Sequence, residues 1–144
     1  MLISASGTVK LSDFGTSRVM SLLDNSGFKT QTVVGTVCYL APECMKGQYS
    51  VGSDVWAIGS SVLEMLTGKV PWHEKGEMDQ FSMVFHLGTL MEPNHMPQFP
   101  SDVSDDARSF LEQCFRFDYK SRPTALMLLE HPFVMKITPR QSPA

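Results

Sequence analysis

The sequence is short of several things, and each shortage excludes a class of protein. No apolar run approaches the roughly 20 residues needed to span a bilayer, so a membrane-spanning helix is not expected. The start, Met1-Leu2-Ile3-Ser4, has neither a basic flank nor a long apolar stretch, which argues against a secretory signal. Cysteine is scarce. Cys38, Cys44 and Cys114 are an odd, scattered set, suited neither to a disulfide framework nor to metal-ligand spacing. The four histidines are equally scattered, and no zinc site is expected. Together these absences fit a reduced, cytoplasmic setting. An excess of positive charge is also missing: 12 Lys and Arg stand against 15 Asp and Glu, a net charge of -3. Nucleic acid is therefore a poor candidate for the main partner. There is no internal repeat and no low-complexity tract.

What is present suits one globular domain with a real core. The 144 residues are 42% hydrophobic and 19% charged. The chain is organised around residues 13 to 43. Asp13-Phe14-Gly15 opens that stretch and Ala41-Pro42-Glu43 closes it, with Gly35-Thr36 shortly before the close. The long polar loop between them carries Ser17, Ser21, Ser26, Thr30, Thr32 and Thr36. A loop of this length in a compact domain is usually functional or disordered. Bracketed by these two triplets, it has the signature of a protein-kinase activation segment. The chemistry suits the residue types: a carboxylate such as Asp13 is a hard oxygen ligand for magnesium, and Gly15 permits a sharp turn. Phosphorylation of a loop hydroxyl would add about −1.5 to −2 charge at neutral pH, and Thr30, Thr32 and Ser26 are the candidate sites.

Around this segment the pattern predicts a mainly α protein. Residues 1 to 12 read as a hairpin turning at Ser6-Gly7, with Val9 and Leu11 on a half-buried strand that delivers Asp13. Residues 52 to 68 read as a central helix, capped by Ser53, apolar nearly all round and hence buried, and ended by Gly68. Asp54 suits the positive end of that helix, and its setting with Trp56 favours a specific buried partner. Pro71-Trp72 lies in the loop that follows. A helix over Glu77–Leu87 is expected to bury Met78, Phe81, Val84 and Phe85 and to stop at Gly88. Prolines 93, 97 and 100 mark an irregular connector. The cleanest amphipathic helix is 105 to 117, capped by Ser104, with Ala107, Phe110, Leu111, Cys114 and Phe115 on one stripe. A last helix starts near Pro123, buries Ala125, Leu126, Leu128 and Leu129, and ends at His131-Pro132-Phe133. Residues 137 to 144 read as a frayed tail.

Taken in order, these anchors resemble the C-terminal lobe of a eukaryotic protein kinase, of serine/threonine type and most similar to the MAP kinase kinase kinase group. The resemblance rests on Leu11-Ser12-Asp13-Phe14-Gly15, Gly35-Thr36, Ala41-Pro42-Glu43, Ser53-Asp54-Val55-Trp56, Pro71-Trp72, Arg122-Pro123-Thr124 and His131-Pro132-Phe133. It covers residues 1 to 136 and implies a short hairpin, an activation segment, and a bundle of about four or five helices. It also implies roles. Asp13 would bind magnesium on ATP, with Phe14 and Gly15 completing the nucleotide-side triplet. Thr36 would lie in the loop that receives the protein substrate. Glu43 would form a largely buried pair with Arg122. Asp54 would hold the catalytic loop through its backbone amides. The helix at 77 to 87 would be the one that often docks substrates or regulators, and an upstream kinase would be the activating partner.

The departures from the family matter as much. The sequence has no Gly-rich phosphate loop, no Val-Ala-Ile-Lys-like strand, and no His-Arg-Asp catalytic loop with its substrate base and second magnesium ligand. All the losses lie on one side, as truncation of an intact kinase would leave them. Two readings stay open at this point. One is the C-terminal part of an ATP-dependent serine/threonine kinase, inactive in isolation. The other is a non-catalytic module that competes with a full kinase for substrates or regulators.

Overall fold

The computed structural model describes residues 2–15, 17, 28–29, 36–90 and 96–135. Among them are five α-helices and two two-stranded antiparallel sheets. The first sheet pairs β1 (Leu2–Ile3) with β2 (Val9–Lys10) in the register Leu2↔Lys10 and Ile3↔Val9. Gly7 turns between them at φ 80°, a conformation a Cβ would resist. The second sheet pairs β3 (Phe28–Lys29) with β4 (Gln48–Tyr49). Between β3 and β4 lie two 3-10 turns, Val37–Tyr39 and Pro42–Lys46. Pro42 takes the first position of the second turn, where its missing N–H costs nothing.

Helix α1 (Val51–Thr67) is the axis of the core. The structure moves its start from the expected position. Ser50 is the N-cap, and Ser53 sits at the third helical position, its hydroxyl accepting the Ser50 N–H at 3.1 Å. This is a capping box closed by serine rather than by Glu or Gln, which is why the sequence pattern hid it. Gly68 ends the helix at φ 68°. Nor is α1 buried all round. Gly52, Ser53, Val55, Trp56, Gly59, Ser60 and Leu63 are buried, whereas Val51, Ile58, Met65 and Leu66 are exposed.

α1 packs across α3 (Asp105–Cys114). A Cβ built on Gly59 would lie 2.6 Å from the Cβ of Cys114, so the crossing needs glycine there. As expected, Ser104 caps α3, accepting from the Ala107 N–H at 3.2 Å, and Ala107, Phe110, Leu111, Cys114 and Phe115 are buried. The main core joins Trp56 and Leu63 to Leu111 and Phe115 on one side. On the other it joins them to Val37, Ala41, Cys44, Trp72, Met83, Leu87 and Leu90. A second cluster gathers Val55, Phe110, Cys114 and Leu128.

Helix α2 (Gln80–Thr89) corrects a second expectation. Asp79 caps it, and Gly88 lies inside it. Its buried residues are Met83 and Leu87, whereas Phe81 and Phe85 are 87% and 74% exposed. A 3.6-residue period allows either stripe, and contact with the two 3-10 turns selected the Met83–Leu87 face. Helix α4 (Ala125–Leu129) starts two residues after Pro123 and buries only Leu128; Ala125, Leu126 and Leu129 are exposed. α4 stops just ahead of His131-Pro132-Phe133, as expected, but it is not the last helix, because a further one, α5 (Pro132–Met135), opens there. The hairpin is likewise not half-buried. Leu2, Ile3, Val9 and Leu11 are all exposed, because no other described element covers either of its faces.

A candidate kinase-type site and its anchor

Asp13 follows β2 and is exposed, with φ at 63°, a left-handed conformation that few residues other than glycine adopt. Asp tolerates it better than most because its short polar side chain can bond locally. Phe14 is 64% exposed, and Gly15 is exposed beside it. Magnesium is usually held by one or two carboxylates together with substrate phosphates and water. Asp13 supplies one such carboxylate, but no group of three or more His, Cys, Asp or Glu side chains among the described residues is arranged to hold a metal ion.

The segment that follows is anchored far more firmly. Glu43, on the Pro42–Lys46 turn, and Arg122, in the loop after α3, lie 79 residues apart in sequence and are both buried. Arg122 Nη1 donates to Glu43 Oε1 at 2.6 Å and Nη2 to Oε2 at 2.9 Å, a bidentate fork. The remaining guanidinium protons reach the Arg116 carbonyl at 2.7 Å, the Gly52 carbonyl at 2.9 Å and the Phe117 carbonyl at 3.3 Å. All five donors of the side chain are thus used. Ser53 Oγ donates to Glu43 Oε1 at 3.0 Å, tying the pair to the first turn of α1. The guanidinium also lies over the buried Trp56 ring, 4.9 Å from its centroid, and Phe115 meets that ring edge-on at 4.8 Å. Full satisfaction is what makes a charge pair tolerable at this depth, where a missing partner costs several kcal/mol.

A second bridge had no clear signal in the sequence. The phenol of Tyr39 donates to Glu64 Oε2 in the penultimate turn of α1. That hydrogen bond, with some desolvation, pushes the Tyr39 hydroxyl up to about 12. Thr36 is exposed, just ahead of this turn, and its carbonyl accepts the Tyr39 N–H at 3.1 Å.

Asp54 is exposed on the first turn of α1, and no hydrogen bond joins it to another described residue. Partial desolvation raises its carboxyl above the ordinary value. The cysteines form no disulfide, and burial pushes the thiols of Cys44 and Cys114 up to about 11 and about 12. Thr30, Thr32 and Ser26 lie outside the described residues.

The model of the protein kinase domain family matches residues 1–134. The chain belongs to the protein kinase family. Its relatives include mitogen-activated protein kinase kinase kinases and a mitogen-activated protein kinase kinase. It is 39% identical over 136 residues to mitogen-activated protein kinase kinase kinase 2 of Arabidopsis thaliana, covering 93% of this chain and 20% of that protein. It is 36% identical to the serine/threonine-protein kinase STE11 of Saccharomyces cerevisiae, covering 93% of this chain and 18% of that one. Mitogen-activated protein kinase kinase kinase A of Dictyostelium discoideum is 38% identical over 95% of this chain and 14% of its own length. The kinase chain described here thus spans about a fifth of these relatives or less. No helix among its described residues is long and apolar enough to cross a membrane.

Proposed function

We propose that this chain is the C-terminal part of a serine/threonine kinase of the MAP kinase kinase kinase type, which transfers phosphate from magnesium-bound ATP to a protein substrate. On this reading Asp13 is a magnesium ligand of the complete enzyme, with Phe14 and Gly15 beside the nucleotide. Thr36 belongs to the loop that receives the substrate. Asp54 awaits the backbone amides of the catalytic loop, in keeping with its carboxyl being partly desolvated and without a partner among the described residues. Thr30, Thr32 and Ser26 are candidate sites for an upstream activating kinase. The observation that carries the reading is the Glu43–Arg122 fork, which ties the end of the Asp13–Glu43 stretch to the helical core.

The isolated chain is expected to transfer no phosphate. Phosphoryl transfer depends on positioning and electrostatic stabilisation, and the phosphate clamp and substrate base are not in this sequence. Radiolabelled phosphate transfer to a generic basic substrate tests this, using the 144-residue chain and a form extended upstream to a complete kinase domain. Activity only in the extended form, abolished by Asp13→Asn, is the expected result. Activity of the short chain that Asp13→Asn removes would overturn the inactivity. An inert, well-folded extended form would favour a second reading, a non-catalytic module that competes for kinase partners. That alternative draws support from the exposure of Phe81 and Phe85 on α2.

A further inference from the structure

A groove lies between the His73–Lys75 turn after α1, the connector over residues 96–99 and the start of α3. It encloses about 390 Å³, within the range of roughly 300–1,000 Å³ that ligand sites occupy. Met96, the buried Pro97 and Phe99 supply its apolar lining. Glu74 and Arg108 line it too, yet no ion pair joins them among the described residues. Each is held by backbone instead. The Arg108 guanidinium donates from Nη2 to the Pro100 carbonyl at 2.9 Å, its one side-chain hydrogen bond among the described residues. The Glu74 side chain is only 16% exposed. Its Oε1 accepts one long bond from the Gln98 N–H at 3.4 Å, and its Oε2 is closed to water with no hydrogen-bond partner among the described residues. His73 Nδ1 lies 3.8 Å from Oε2, beyond hydrogen-bond reach. A carboxylate with so few donors has not recovered the cost of leaving water, and the guanidinium has donors to spare. An acid and a base that share a cavity without meeting suit a ligand that bridges them.

We propose that this groove binds a peptide segment of a partner protein in which a basic and an acidic side chain flank an apolar one. The basic group meets Glu74, the acidic one meets Arg108, and the apolar one packs on Met96, Pro97 and Phe99. Lys75 and Gln98, which also line the groove, are exposed, so it is open to solvent. A small molecule is usually enclosed over most of its surface, whereas a peptide can run on past an open groove. The charges narrow the choice further. Lys75 and Arg108 repel a purely basic segment, and a purely acidic one leaves Glu74 unmatched. Asp13, Thr36 and Glu43 do not line the groove, and its use is independent of the kinase reading above.

The test is a nuclear magnetic resonance titration of the 144-residue chain with two blocked tripeptides, acetyl-Arg-Leu-Glu-amide and its reverse, acetyl-Glu-Leu-Arg-amide. At least one should give saturable shifts at the Lys75, Gln98 and Phe99 amides. Replacing its Glu by Gln, or its Arg by Gln, should each weaken binding about tenfold, the loss expected for a hydrogen bond between charged groups. The protein variants separate the two contacts. Arg108→Gln should weaken the charged peptide about tenfold and leave the peptide that lacks Glu unaffected. Glu74→Gln should do the same for the peptide that lacks Arg. If Glu74→Gln does not fold, the Arg108→Gln comparison decides alone. No saturable shift with either charged peptide overturns the site, and so does binding that Arg108→Gln leaves unchanged. Free arginine binding as tightly as the tripeptides would overturn the peptide segment in favour of a small dipolar ligand.

Discussion

Arg122 shows how much one side chain can hold. Its guanidinium joins the Pro42–Lys46 turn, the start of α1 and the loop after α3 by direct hydrogen bonds, and its face covers the Trp56 ring. Arg122→Ala would leave Glu43 buried with Ser53 as its one remaining side-chain partner, and would take a donor from three backbone carbonyls. The expected cost is about 3–5 kcal/mol, lowering the melting midpoint by about 10 °C or more, as calorimetry would read it. Asp54 should behave in the opposite way. A carboxyl raised by desolvation favours the protonated form in the folded state, so the charge weighs against folding at pH values above its folded pKa and ceases to do so as pH falls through that value. Asp54→Asn should therefore raise the midpoint of this chain slightly at pH 7, with the gain fading on acidification. A lowered midpoint at pH 7 would mean that Asp54 has a stabilising partner after all. Tyr39 carries a third pH signature. Its raised hydroxyl contributes stability that is whole below about pH 10 and lost as pH rises toward about 12.

At the scale of elements, the α1–α3 crossing leaves no room for a side chain at Gly59. Gly59→Ala would drive a Cβ to 2.6 Å from that of Cys114, with the Phe115 ring at 3.4 Å. Neither neighbour can yield without moving a buried helix, so a loss of about 1–3 kcal/mol is expected in denaturant unfolding. Phe85→Ser on the exposed face of α2 is the contrast, with an expected change within about 0.5 kcal/mol. The two faces of α2 also mark where sequence reading stopped. Phe81 and Phe85 recur at helical spacing as well as Met83 and Leu87 do, and the larger aromatics look like the better core residues. What lies beneath the helix made the choice, and that is contact between parts distant in sequence. The same holds for α4, where the apolar run Ala125–Leu129 lacks a polar face, yet one residue, Leu128, is buried. By contrast the start and the buried stripe of α3 were legible, although the helix ends at Cys114 and not at 117. Its charged outer positions leave one apolar stripe, and Ser104 stands where an N-cap should.

The molecule as a whole divides into a well-packed part and an uncovered one. Residues of α1, α3 and the 3-10 turns share a continuous core, whereas the hairpin carries Leu2, Ile3, Val9 and Leu11 on open surfaces. Val51, Ile58, Met65 and Leu66 extend the exposed apolar surface along α1. Native-state hydrogen exchange should show the division directly. The Leu63 and Leu111 amides are expected to open only with global unfolding, and those of the hairpin to exchange with little protection. Equal protection in both would mean that another part of the chain covers the hairpin. The family, the segment between Asp13 and Glu43, and the likeness to MAP kinase kinase kinases could all be read from residue order, because motif chemistry is local: a turn needs its glycine, a cap its hydroxyl, a metal its carboxylate. Pairing Glu43 with Arg122 was readable only through the family resemblance, since a separation of 79 positions carries no local sign of it. The carbonyls that complete the guanidinium, the serine-closed capping box, the phenol on Glu64 and the buried face of each helix were settled by folding. Burial and hydrogen-bond satisfaction are properties of neighbours in space, and a one-dimensional pattern offers several equally good partners until packing removes all but one.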